Sequence, residues 1–83
     1  MTYVNKVADF YVARFAGVRM LSAEDYTMIA EWEKQNIPVA IVLRAINEVY
    51  YSYTSDGIEI KTIGECDETV RNIFRDWLEI KSP

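Results

Sequence analysis

The 83-residue chain contains no histidine, and no other single absence removes as much chemistry. Ser-His-Asp and Cys-His nucleophilic arrangements need an imidazole to take up and return a proton, and many zinc sites need one as a ligand. Cysteine occurs once, at Cys66, so neither an internal disulfide nor a thiolate metal cluster can form. The three glycines, Gly17, Gly57 and Gly64, lie outside any loop of the kind that cradles phosphate. Basic residues number 9 against 13 acidic ones, a net charge of −4, which opposes bulk attraction to nucleic-acid backbones or anionic lipid. No apolar run approaches the ~20 residues that span a bilayer, and the longest, Val39 to Leu43, has the length of a buried helix segment. The N-terminus, Met1-Thr2-Tyr3-Val4-Asn5-Lys6, is polar every few positions and does not read as a signal peptide. The expectation is a cytoplasmic protein with no membrane contact, no metal and no cofactor.

What is present suits a small core. The chain is 51% hydrophobic and 13% aromatic, enough to exclude disorder, and its length allows one domain. Residues 37–53 dominate it. At about 100° per residue, Val39, Val42, Leu43, Ile46, Val49, Tyr50 and Tyr53 share one side of a helix. Ile41 and Ala45 widen that side, and Arg44, Asn47, Glu48 and Tyr51 form a narrow polar stripe opposite. A helix apolar over most of its circumference belongs at the centre of a bundle.

Three amphipathic helices accompany it. The first spans about 3–16, with Val4, Val7, Ala8, Tyr11 and Phe15 as its stripe and Gly17 placed to end it. The second spans about 23–35. Ser22 and Asp25 are spaced as a capping pair, Leu21 and Tyr26 as a hydrophobic staple, and Tyr26, Ile29 and Trp32 as its buried face. Pro38 opens the third, which runs to about 54 before the Ser55-Asp56-Gly57 turn signal. Ile58-Glu59-Ile60-Lys61 alternates, but a lone strand has nothing to pair with, so it reads as a loop whose isoleucines tuck inward. The fourth spans about 63–81. Thr62 and Glu65 have capping-box spacing, Asp67 is a rival cap, and Ile63, Cys66, Val70, Ile73, Phe74, Trp77 and Ile80 lie on one face. The predicted fold is all-α: a single four-helix domain around a central apolar third helix.

Function is far less legible. Acid–base work by Asp9, Asp25, Glu31 or Glu33 needs a cleft that a bundle this small rarely offers, so an enzyme is not expected. The short connection between helices 2 and 3 has helix-turn-helix spacing. A recognition helix, however, presents polar and basic side chains at its start, and this one presents Ile37-Pro38-Val39-Ala40-Ile41. Partner binding remains. The helical wheels leave Tyr3, Phe10, Met20, Met28 and Tyr51 outside the core, and aromatic and methionine side chains are enriched at interfaces. A neighbouring helix covering Phe10 or Met28 is the plainer alternative.

Two resemblances add to this. Leu21-Ser22-Ala23-Glu24-Asp25 through Trp32, then Ile37-Pro38-Val39-Ala40-Ile41-Val42-Leu43-Arg44-Ala45-Ile46, is similar to a group of small uncharacterised bacterial proteins. Their pattern is Leu-Ser-Pro-x-Asp, a tryptophan, then Gly-Ile-Pro and an apolar helix ending in Arg-x-Ile. Asp9-Phe10-Tyr11 through Arg14 resembles the segment that precedes it. More distantly, Thr69-Val70-Arg71-Asn72-Ile73-Phe74-Arg75-Asp76-Trp77 resembles the closing motif of the C-terminal domain of DnaD-like primosome proteins. That resemblance implies a helical domain that helps to bind DNA and assemble replication-restart complexes.

The expectation is a non-enzymatic helical interaction module, acting through another protein or through self-association. Its candidate contact residues are Phe10, Arg14, Tyr51, Arg71 and Arg75. The alternative is a DnaD-like accessory domain touching DNA through Lys61, Arg71 and Arg75.

Overall fold

The computed structural model describes residues 2–15 and 20–81. Four α-helices account for most of them: α1 (Tyr3–Arg14), α2 (Ala23–Lys34), α3 (Val39–Asp56) and α4 (Asp67–Lys81), with a 3-10 turn, Ile63–Cys66, leading into α4. The fold is all-α, and no strand occurs among the described residues. The Ile58–Lys61 segment is a loop, as its isolation required. Only Ile60 of its two isoleucines tucks in, while Ile58 stays 51% exposed.

Each helix starts and stops for a local reason. Thr2 caps α1 by accepting from the Asn5 N–H at 3.1 Å. That helix stops at Arg14, two residues short of expectation, because Phe15 turns into extended backbone and buries its ring. Gly17, the predicted stop, lies outside the described residues. The capping box of α2 forms as its spacing predicts. Ser22 Oγ accepts from the Asp25 N–H at 3.2 Å, and Asp25 Oδ2 accepts from the Ser22 N–H at 3.1 Å.

Helix α2 ends in a left-handed residue, Asn36 (φ 62). The Asn36 N–H donates to the Glu33 carbonyl and the Ile37 N–H to the Trp32 carbonyl, the paired bonds of a Schellman motif. The same motif ends α3 at Gly57 (φ 70), where the Ile58 N–H reaches the Tyr53 carbonyl at 2.8 Å. The Ser55-Asp56-Gly57 signal therefore marks a cap rather than a separate turn, and α3 runs two residues past the expected Thr54.

The core confirms the central helix. Val42, Ala45 and Ile46 are fully buried, with Ile41 and Val49 nearly so. Helix α3 packs against α1 on one side and α4 on another, while α2 closes the bundle chiefly by meeting α1 and the 3-10 turn. Trp32 and Tyr11 are the largest side chains sealed inside. Tyr26 departs from the expected buried face of α2: it is 44% exposed, while Leu21, its expected staple partner, is buried.

Candidate surface at the end of α4

The start of α4 is held by carboxylates. Asp25, itself buried, accepts from the Ile63 N–H through Oδ1 at 3.0 Å, so one side chain serves the first turn of α2 and the 3-10 turn together. Glu65 Oε2 accepts from the N–H groups of Lys61 and Thr62, at 2.6 and 3.1 Å, and Oε1 accepts from the Tyr53 hydroxyl. The bond from the Lys61 N–H is the largest of the influences holding the Glu65 carboxyl below its ordinary range. Asp67 Oδ1 accepts from the indole N–H of Trp32 at 2.8 Å, and its Oδ2 takes Arg71 Nε at 3.0 Å. Of the two rival caps, the Thr62/Glu65 box forms on the 3-10 turn, whereas Asp67 is the first residue of α4 and spends its carboxylate on Trp32 and Arg71.

The apolar stripe that runs from the 3-10 turn along α4 begins deep in the core and ends in solvent. Ile63, Cys66 and Val70 are fully buried. Ile73, Phe74 and Trp77 are half-buried against the core. Leu78 is 46% and Ile80 83% exposed. Sequence periodicity placed Trp77 and Ile80 on the buried face; Trp77 does pack against the core, but Ile80 does not. What fails is cover at the end of the stripe, where Ile80 is exposed. Within it, Phe74 and Trp77 stack at 5.9 Å, and Lys81 Nζ sits 4.5 Å from the Trp77 ring centroid.

The five candidate contact residues lie on three helices, α1, α3 and α4. Phe10 is half-buried against the core, with the Arg14 guanidinium 4.7 Å from its ring centroid. Tyr51, 60% exposed, ends a row of rings running Tyr11–Phe15–Tyr50–Tyr51, with centroid spacings of 5.1, 5.6 and 5.4 Å. Arg71 and Arg75 lie on α4. Arg71 also donates to Gln35 Oε1 at 2.9 Å, besides its ion pair with Asp67, and Arg75 donates to Asn72 Oδ1 at 3.1 Å. Of the other side chains the wheels left out, Tyr3 and Met28 also pack on the core. Tyr3 donates its hydroxyl to the Ile37 carbonyl at 2.8 Å, and burial, then the Glu33 charge, pushes its pKa up to about 12. Met20 alone of them is almost wholly exposed.

An open groove of about 350 Å³ lies between the C-terminal half of α3 and the start of α4. Glu48, Glu65 and Glu68 line it with Ser52, Tyr53 and Thr69 over Val49. Both oxygens of Glu65 are already engaged, and Glu48 stands 3.9 Å from Arg44. Among the described residues no three His, Cys, Asp or Glu side chains converge as metal ligands would. Burial pushes the Cys66 thiol up to about 12, with the Glu65 charge adding to it, so the sulfur stays a protonated core atom. No described helix is long and apolar enough to cross a membrane.

Compared with protein-family models, curated proteins and solved structures, the chain matches none.

Proposed function

We propose that the chain is a non-enzymatic helical interaction module, and that it meets its partner protein through the last turns of α4. The observation that carries this reading is Ile80, 83% exposed on the stripe whose earlier members, Cys66 and Val70, are fully buried. Exposing such a side chain has no return in the isolated fold, and a partner that removes it from water gains ~25 cal/mol per Å² of apolar surface covered. Ile73, Trp77 and Ile80 stand at i, i+4 and i+7, the spacing by which an amphipathic helix anchors in an apolar groove. Aromatic anchors such as Trp77 carry a disproportionate share of energy in contacts of this kind.

Area favours a groove over a second copy of the chain. With side chains of 150–250 Å² at most, the exposed apolar end of α4 offers on the order of 300 Å². Two such ends pressed together bury about 600 Å², half of the ~1,200 Å² at which stable interfaces begin. A concave partner reaches the flanks as well, where Arg75, Asp76 and Glu79 supply a polar rim.

Photo-crosslinking tests the reading. A photoreactive residue is placed at Ile80 and, separately, at exposed Ala30 on α2, in cells that make the chain. One adduct specific to position 80, and lost in Trp77→Glu, supports the proposal. Identical adducts from both positions, or none from position 80, overturn it. Sedimentation separates the alternatives, because a dimer at micromolar concentration that dissociates in Ile80→Glu transfers the surface to a second copy.

A further inference from the structure

We draw no further inference here: the strongest candidate outside the α4 surface, the groove between α3 and the start of α4 lined by Glu48, Glu65 and Glu68, is a cluster of carboxylates, and nothing in the structure shows what occupies it.

Discussion

A single buried carboxylate, Asp25, satisfies backbone donors at the starts of both α2 and the 3-10 turn. Asp25→Ala removes a cap and leaves the Ile63 N–H buried without an acceptor. The combined cost is about 3 kcal/mol, read as a lower midpoint in urea unfolding. Ser22→Ala, which removes only the cap bond to the Asp25 N–H, is expected to cost about 1 kcal/mol. Equal losses for the two variants contradict the double role. Cys66 gives a second test at this scale. Its folded pKa, about 12, lies above the ~8.5 of a free thiol, so its contribution to stability is complete below that value and falls as pH rises past it. At pH 8 a thiol reagent should label the folded chain at least about a hundredfold more slowly than the urea-unfolded chain. Rapid labelling of the folded chain means that the sulfur is not sealed in the core.

Among the elements, the two Schellman ends and α4 make separate predictions. Gly57 has open space where a Cβ would stand, so Gly57→Ala costs only backbone strain, about 1 kcal/mol. Asn36 holds the same left-handed conformation, so Asn36→Ala should cost a similar amount and Asn36→Gly nothing. A loss in Asn36→Gly equal to that of the alanine variant means that the side chain, not the backbone angle, matters there. At the start of α4, Glu65 has a lowered pKa. Its stabilisation is therefore present above the ordinary carboxylate range and is lost as pH falls through the folded value. In Glu65→Gln the acid limb of the stability–pH profile should flatten relative to wild type; an unchanged limb assigns it to other carboxylates.

The helix boundaries also show how far the sequence could be read. The capping pair at Ser22 and Asp25 was legible because it depends on residues three apart. The central position of α3 was legible because so little of its circumference is polar. The second bond of Asp25, to Ile63, joins residues 38 positions apart, and no spacing rule reports it. The same limit explains the end of α4. A wheel gives the angle of Ile80 about the helix axis but not how far along that axis the neighbours reach. Phe10 and Tyr3 show the converse: they were left outside the core by the wheel of α1, yet both pack against it.

At the scale of the whole molecule, the chain is somewhat open for its mass. Its radius of gyration is 12.6 Å, against about 11.8 Å for a compact chain of this length. Its accessible surface is 5552 Å², against about 5,100 Å² for a compact monomer of this mass. Charge bears on the alternative that the DnaD-like resemblance implies. With a net charge of −4 and Arg71 engaged by Asp67 and Gln35, titration with single- or double-stranded DNA at low salt should give no measurable binding. Affinity that falls steeply with added salt transfers the functional surface to Lys61, Arg71 and Arg75.

The central claim is that the last turns of α4 are presented outward and contribute little to folding. Equilibrium urea unfolding of Ile80→Glu tests it most directly, with Ile63→Ala on the same stripe as the internal standard. Ile63→Ala should lose about 3 kcal/mol, whereas Ile80→Glu should stay within about 0.5 kcal/mol of wild type. A loss of about 2 kcal/mol or more in Ile80→Glu contradicts the claim, because Ile80 then belongs to the core and leaves no surface there for a partner.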